Sequence, residues 1–334
     1  MFLFCQAQRE LQQFPTVEIQ RLLDGKFMSE FEDYAMDQFP WRDGFRRIKA
    51  RFTYEVLGQK DNHGICVVNG QAFALEYPLN EKSVAHATSV FRNIWEKNLK
   101  DSRVFAAIVP DKGYYLAREQ GYPVMDYEKL FEMMESQMPY AQFVDLRDCL
   151  TGEDYYRTDT HWRQERLTPV VQALGTVMGI SFDAQYQVKE AEPSFYGVYY
   201  GQAALPMEAD ALYTLHNDLL DECRVYNYET NQYGSIYDEE KLKGKDPYET
   251  YLSGPVSLLR IENPQAQTDQ ELIVFRDSFG SSLTPLLMQG YKTVTLVDVR
   301  YISGSMLSRF VDFHGQDVLF LYSTLVLNNS AMFK

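Results

Sequence analysis

Residues 271–297 read ELIVFRDSFGSSLTPLLMQGYKTVTLV, and the fold class follows from this stretch. The short apolar run Glu271–Phe275 predicts a strand, and a short helix is predicted from about Ser281 to Gln289. The apolar run Thr293–Val297 predicts the next strand. Strand, helix and strand in this order favour parallel strands with the helix packed on the sheet.

The same alternation continues on both sides of this stretch. Val104–Val109 (VFAAIV) is a continuous apolar run, as expected for a strand covered on both faces. Further elements are predicted at Asn69-Gly70 (the turn of a hairpin), Ser83–Lys100 (helix), Tyr127–Met138 (helix), Gln142–Leu146 (strand), 163–179 (helix), Ser305–Phe313 (helix) and 317–322 (strand). The sequence therefore predicts an α/β fold with a mostly parallel sheet and helices on both faces.

Length and composition limit the number of domains. The chain has 334 residues, 45% of them hydrophobic, which fits one large domain or one domain with an insertion. Residues from about 181 to 264 break the alternation and are rich in tyrosine, glycine and acidic residues. We predict a single α/β domain over residues 1–334, with an irregular, partly β insertion at about 181–264.

The charge and the cysteines exclude some classes of function. The formal net charge is −15, and we find no block of lysine and arginine, which argues against binding nucleic acid or anionic lipid through a basic face. The cysteines, Cys5, Cys66, Cys149 and Cys223, form no CxxC or other metal-binding pattern, and their even number leaves disulfides open. The sequence predicts neither a metal site nor a cofactor.

No stretch approaches the length of about 20 apolar residues that a membrane helix needs. The start, MFLFCQAQRE, lacks a basic region and a cleavage site. Composition leaves two possibilities open: a soluble cytoplasmic protein, or a chain that begins just after a signal-anchor.

Polar side chains follow the predicted strands where each strand ends. They are Asp111 after VFAAIV, Asp277 and Ser278 after ELIVF, Arg300 and Tyr301 after TVTLVDV, and Tyr322 in the last strand. Ligands of open parallel sheets bind outside the carboxyl ends of the strands. We therefore expect Asp277, Arg300 and Tyr322 to cluster around Ser278.

Ser278 is the candidate nucleophile. It lies in a sharp turn between a strand and a helix, where backbone N–H groups can stabilise a developing oxyanion. A serine needs a base, usually a histidine that a carboxylate holds. Residues 155–162, YYRTDTHW, could supply both, with Asp159 fixing the imidazole tautomer and His161 accepting the serine proton.

Each of these residues also has an ordinary structural explanation. Ser278 could simply cap a helix, Asp159 could cap the helix that follows it, and His161 could be a loop histidine. Trp162 could pack in the core instead of supporting substrate, and Arg300 could form only a salt bridge. The residues alone do not choose between a triad and these alternatives.

Two motifs resemble a known family. YYRTDTHW resembles the signature of the DHHW family, and Asp277–Gly280 (DSFG) resembles its serine motif. The stretches FEDYAMDQFPWRD (31–43) and 298–301 also resemble that family at corresponding places. The resemblance implies an SGNH-hydrolase-like fold related to the acetyltransferases that include the alginate O-acetylation proteins. Two positions depart from the pattern: Thr160 replaces the first histidine of Asp-His-His-Trp, and Arg276 stands where glycine is common.

The resemblance also implies a function. We expect an extracytoplasmic O-acetyltransferase or esterase acting on a cell-surface polysaccharide, held at a membrane by an N-terminal segment before residue 1. Ser278, His161 and Asp159 would be catalytic, and a membrane-bound O-acyltransferase partner would supply acetyl groups. The residues expected to bind substrate are Arg300, Tyr301, Tyr322 and Trp162. The alternatives are an esterase that uses water as acceptor, and a catalytically silent glycan-binding or scaffold protein of the same fold.

Overall fold

Strands and helices alternate along most of the chain in the computed structural model, which describes residues 12–334. Cys5 lies outside the described residues. The strands are β1 (Ile65–Val68), β2 (Gln71–Ala74), β3 (Val104–Val109), β4 (Gln142–Val144), β5 (Gln187–Phe195), β6 (Asp210–His216), β7 (Arg224–Asn227), β8 (Gln232–Gly234), β9 (Leu258–Glu262), β10 (Glu271–Arg276), β11 (Thr293–Val297) and β12 (Asp317–Ser323). The α-helices are α1 (Ile19–Leu23), α2 (Lys26–Asp37), α3 (Arg42–Arg51), α4 (Glu81–Asn98), α5 (Lys112–Leu116), α6 (Tyr127–Gln137), α7 (Thr168–Met178), α8 (Val198–Ala203), α9 (Asp218–Glu222), α10 (Phe279–Leu287) and α11 (Thr324–Asn328).

A central sheet of eight strands organises the fold, in the order β4-β3-β12-β10-β11-β9-β7-β8. The pairs from β4 to β11 are parallel, and the pairs from β11 to β8 are antiparallel. The predicted α/β fold class is confirmed. The carboxyl ends of β3, β10, β11 and β12 meet at one edge, which is where the candidate residues were expected.

The two faces of the sheet are covered by separate hydrophobic cores. Alternate residues of β3 enter different cores: Phe105 and Ala107 pack with α7 and α10, whereas Ala106 and Ile108 pack with α4 and α6. Every residue of β3, β11 and β12 is buried. This explains why these strands read as continuous apolar runs instead of alternating ones.

The insertion at about 181–264 contributes to the central sheet, which the sequence did not predict. β7, β8 and β9 extend the sheet beyond β11 as antiparallel strands. β5 and β6 form a separate antiparallel pair with register shifts. The predicted β content is present, but three of its five strands, β7, β8 and β9, belong to the main sheet.

Local sequence signals explain the ends of several elements. Asn69 and Gly70 take positive φ angles of 49° and 78° in the turn between β1 and β2, as the hairpin signal predicts. α4 begins at Glu81, two residues before the predicted start, because the Asn80 side chain accepts from Ser83 N. The predicted helix near Ser305–Phe313 is a 3₁₀-helix, Gly304–Arg309. Within residues 12–334, no helix has both the length and the hydropathy that crossing a bilayer requires.

Candidate active site

The loop that carries YYRTDTHW is closed on itself. Tyr155 and Trp162 form an antiparallel bridge, and Tyr156 N donates to His161 O at 3.1 Å. The buried Asp210 on β6 accepts from Thr158 N at 2.9 Å and from Thr158 Oγ1 at 2.6 Å. These contacts hold the backbone in place on both sides of Asp159.

Asp159, His161 and Ser278 form a continuous hydrogen-bonded chain. His161 Nε2 lies 2.7 Å from Ser278 Oγ, and His161 Nδ1 lies 2.5 Å from Asp159 Oδ1. Asp159 also accepts from His161 N at 3.0 Å and, through Oδ2, from Val198 N at 2.8 Å. The distance from His161 Nε2 to Ser278 Oγ falls within the range of about 2.6–3.2 Å that a base needs to accept the proton of a nucleophile.

The environment keeps the carboxyl of Asp159 ionised. Burial alone would raise its pKa, but the imidazole and backbone N–H of His161, with the N–H of Val198, outweigh burial and lower it. A charged Asp159 accepts a proton from Nδ1, so that Nε2 is the nitrogen free to accept the proton of Ser278.

The serine turn is held by the buried carboxylate of Asp277. Its Oδ1 accepts from Phe279 N at 3.0 Å, and its Oδ2 accepts from Ser323 N at 2.7 Å. Asp277 therefore joins the end of β10 to the end of β12. Ser278 has helical backbone angles and is the N-cap residue of α10. Its side chain makes no capping hydrogen bond, and its hydroxyl is directed to His161 instead.

Arg276, where the family commonly has glycine, lies beneath the turn. Its side chain is fully buried, with Nη1 3.7 Å from Asp298 Oδ2 and Nη2 3.3 Å from Gly254 O. A β-carbon at Gly280 would lie 2.7 Å from Arg276 Cβ. The absence of a side chain at Gly280 therefore leaves room for the side chain of Arg276. The serine turn keeps its close contact with His161.

Two residues of the insertion complete the site, and no sequence signal pointed to them. The ring of Tyr248 stacks on His161, with centroids 3.8 Å apart and planes 5° apart. Tyr248 also shares a hydrogen bond of 2.8 Å with Ser282. Asp246 accepts from Tyr248 N at 3.1 Å, and burial, together with the charge of Asp159, raises the pKa of its carboxyl to about 6.

Lys112 supports the same loop from the carboxyl end of β3. Its side chain is buried, and Nζ donates to Tyr156 O at 2.7 Å and to Arg157 O at 3.3 Å. Burial lowers the pKa of Lys112 to about 7, against the opposing effect of Asp159 and Asp210. The sequence placed Asp111 at this edge and assigned no role to its neighbour Lys112.

The residues expected to bind substrate have different environments. The rings of Trp162 and Tyr322 are buried, and only 2% or less of either residue is exposed. Trp162 Nε1 donates to Ser282 Oγ at 2.9 Å, and Tyr322 packs on Phe91 with centroids 4.8 Å apart. Neither ring offers a face to a substrate, so we withdraw these two predicted contacts.

Arg300 and Tyr301 stay candidates for substrate binding, but their side chains differ in exposure to solvent. Arg300 forms a bidentate ion pair with Asp298, at 2.9 and 2.6 Å, and its side chain is 13% exposed. The structure therefore shows the salt bridge that was the alternative for Arg300. Tyr301 is 48% exposed, and its ring centroid lies 5.5 Å from the guanidinium carbon of Arg300. Substrate binding by either residue stays a prediction.

Within residues 12–334, the candidate site contains neither a cysteine nor a group of side chains able to bind a metal ion. Cys66, Cys149 and Cys223 are free thiols, and in this part of the chain no group of three or more histidine, cysteine, aspartate or glutamate side chains could hold a metal ion.

The sheet order, the covering helices and the serine turn after β10 define an SGNH-hydrolase-like α/β fold. Two solved structures are similar to it. A DHHW family protein from Eubacterium siraeum is 17% identical with a TM-score of 0.64, over 80% of this chain and 93% of that chain. Bacillus cereus PatB1, solved with a sulfonyl adduct, is 16% identical with a TM-score of 0.63, over 79% of this chain and 95% of that chain.

A sequence comparison matches the middle of the chain to a known family. The model of the DHHW family, described as DHHW protein, matches residues 132–297, which include both YYRTDTHW and DSFG. This match confirms the resemblance to the DHHW family that the two motifs predicted. Among curated proteins, no sequence matches this chain.

Proposed function

We propose that the protein is a serine-dependent O-acetyltransferase or esterase that acts on a cell-surface polysaccharide through an acetyl-serine intermediate. One observation carries the proposal: Ser278 Oγ, both ring nitrogens of His161 and the carboxylate of Asp159 lie in one hydrogen-bonded chain. A helix cap or a structural histidine does not require this order of groups, whereas nucleophilic catalysis does.

In the first step, Ser278 attacks the carbonyl carbon of a bound acetyl ester. His161 Nε2 takes the serine proton as the C–O bond forms, and Asp159 stabilises the resulting imidazolium. When the tetrahedral intermediate collapses, the bond to the donor oxygen breaks, and His161 returns the proton to that leaving group. The acetyl group is then an ester on Ser278.

In the second step, a hydroxyl group of the acceptor sugar attacks the acetyl-serine. His161 removes the proton of this hydroxyl, and the new intermediate collapses to acetylated sugar and free Ser278, whose oxygen recovers the proton from His161. With water in place of the sugar, the same step yields acetate. The two activities differ only in which acceptor reaches the carbonyl carbon.

The developing oxyanion needs N–H donors at the serine turn. Phe279 N already donates to Asp277 Oδ1 at 3.0 Å, so we assign this role to the N–H of Ser278 itself. The polysaccharide substrate, the extracytoplasmic location and a membrane-bound O-acyltransferase donor belong to the proposal through the family resemblance. The solvent-exposed Tyr301, near the end of β11, is the residue we assign to sugar contact.

An activated acetyl ester such as p-nitrophenyl acetate tests the chemistry. Wild type should release nitrophenol, and mass spectrometry should find an acetyl group on Ser278. Ser278→Ala should reduce turnover by about 10⁴–10⁶-fold, with His161→Ala nearly as damaging and Asp159→Asn less so. Combined triad variants should lose little more than the single ones, because the residues act as a unit.

Two controls complete the test. Ser89→Ala changes an exposed serine on α4 and should leave activity intact. A sulfonyl fluoride should label Ser278 in wild type, since PatB1 of similar fold has been solved with a sulfonyl adduct. Adding a short oligosaccharide then separates transfer from hydrolysis through the ratio of acetylated sugar to acetate. If folded wild type and Ser278→Ala are equally inactive and bind glycan equally well, the scaffold alternative is correct.

A further inference from the structure

α3 presents its apolar side to solvent instead of to the protein. Trp41, Phe45, Ile48 and Phe52 are 73%, 58%, 66% and 53% exposed. The spacings of three and four residues place Phe45, Ile48 and Phe52 on one face of α3 and of the π-helical turn Phe52–Val56 that continues it. Trp41 immediately precedes the helix, with a φ of 63°. We call these four residues the apolar stripe.

The opposite face of α3 attaches the helix to the rest of the fold. Ala50 is 1% exposed and packs in a small core with Ile65 of the β1–β2 hairpin. Arg46 Nη2 donates to Gly201 O at 3.0 Å, and Arg47 Nη2 donates to Tyr200 Oη at 3.0 Å. The orientation of the stripe is therefore fixed by contacts on the far side of the same helix.

Basic residues border the apolar stripe on both sides. At 100° per residue, Arg42 and Lys49 lie along one border and Arg51 lies along the other. Arg42 is partly exposed, and its Nη1 lies 3.7 Å from Asp43 Oδ1, so Lys49 and Arg51 are the more available cations. Arg42–Arg51 contains five basic residues and one acidic residue, Asp43, in a chain whose net charge is −15. The negative net charge of the whole chain conceals this local excess, so the argument from net charge against a basic face for anionic lipid does not extend to α3.

We propose that α3 docks on the surface of an anionic lipid bilayer. A helix with aromatic and aliphatic residues on one face and lysine and arginine at its borders lies in the membrane interface, where the apolar side chains enter the acyl boundary and the cations meet lipid phosphates. If two copies of the chain packed symmetrically through the apolar stripe, the basic residues at the borders of one copy would face those of the other. Their repulsion disfavours a dimer through this face. The exposed Glu32 and Asp33 on α2 weaken the attraction, so binding should depend strongly on salt.

Vesicle cosedimentation tests the proposal on the whole chain. Vesicles of equal parts phosphatidylcholine and phosphatidylglycerol should bind wild type at least about tenfold more tightly than vesicles of phosphatidylcholine alone. Raising the salt from about 0.1 M to about 0.5 M should release it. The triple variant Arg42→Gln, Lys49→Gln and Arg51→Gln should bind about a hundredfold more weakly, and Phe45→Ser with Ile48→Ser should also lose binding.

A matched control has the same charge change elsewhere: Lys82→Gln, Lys97→Gln and Lys100→Gln on the exposed side and end of α4 should bind like wild type. Trp41 fluorescence, taken as the difference between wild type and Trp41→Phe, should shift to the blue when anionic vesicles are added. The proposal is overturned by equal binding to both kinds of vesicle, by equal loss in the α4 variant, or by no binding. It is also overturned by self-association that the Phe45→Ser and Ile48→Ser variant abolishes, or by Trp41 emission that is already blue-shifted without vesicles.

Discussion

Gly197 lies directly against the side chain of Asp159, so that a β-carbon at position 197 would overlap Asp159 Cβ. The neighbouring N–H of Val198 donates to Asp159 Oδ2 at 2.8 Å, and Gly197 N donates to Thr158 Oγ1 at 3.0 Å. The residues at the start of α8 therefore pack against Asp159 and form the wall that positions its carboxylate. Gly197 has a φ of −85°, so space and not backbone conformation requires glycine here.

Gly197→Ala should displace Asp159 and separate it from His161. We expect kcat/KM for an acetyl ester to fall by about a hundredfold, because a displacement near 1 Å in a catalytic group has that effect. The folded protein should persist with a lower melting temperature. Gly234→Ala is the matched control, since a β-carbon there meets nothing within 4 Å. Equal activity of the two alanine variants would show that the wall does not position Asp159.

The stacking of Tyr248 on His161 leads to a second prediction. Tyr248→Phe keeps the ring and loses the hydrogen bond to Ser282, so it should cost about 1 kcal/mol of stability and little activity. Tyr248→Leu removes the flat surface that orients the imidazole, and kcat should fall about tenfold to a hundredfold. Steady-state kinetics on both variants separates the two effects. If Tyr248→Leu keeps wild-type kcat, the ring is only a packing residue.

The sequence predicted those parts of the molecule that depend on local pattern. β3 extends over the residues of VFAAIV, and β11 over those of TVTLV, because continuous apolar runs of this length have few alternatives in an α/β chain. Tyr248 and Asp246 could not be found in the same way. They reach His161 only through the path of an irregular segment, and tyrosines are common throughout that segment.

Two of the four predicted substrate contacts, those of Tyr322 and Trp162, were withdrawn because their rings are buried. Tyr322 and Trp162 were placed near the site through their position in the sequence, and both do lie near it. Which way a side chain points at the end of a strand depends on the packing of both sheet faces, and here both rings point into the cores. The sequence also offered a salt bridge as the alternative for Arg300, and its ion pair with Asp298 is present.

The raised pKa of Asp246 predicts a dependence of stability on pH. Burial holds this pKa at about 6 in the folded protein, against a usual value of 3.8. Between these two values the folded state retains a proton that the unfolded state has lost, so this contribution to stability falls as the pH rises from 3.8 to 6. Asp246→Asn keeps the oxygen that caps Tyr248 N and should remove this slope, which is on the order of 1 kcal/mol per pH unit. Urea unfolding of both proteins across that interval measures the difference; parallel curves would mean that Asp246 titrates normally.

Lys112 provides the last test, because it supports the loop of Asp159 without touching the reacting atoms. Lys112→Met has similar length but leaves Tyr156 O and Arg157 O without the Nζ donor, so the free energy of unfolding should fall by about 1–3 kcal/mol. The folded-state pKa is about 7 and the usual value is 10.5, so between them the unfolded state binds more protons and the contribution of Lys112 rises with pH. The difference in unfolding free energy between wild type and Lys112→Met should therefore grow from pH 7 toward 10.5. Lys82→Met, on the exposed surface of α4, should show neither effect. Wild-type stability and activity in Lys112→Met would mean that the loop contacts of Tyr155, Trp162 and Asp210 are sufficient to hold Asp159 against His161.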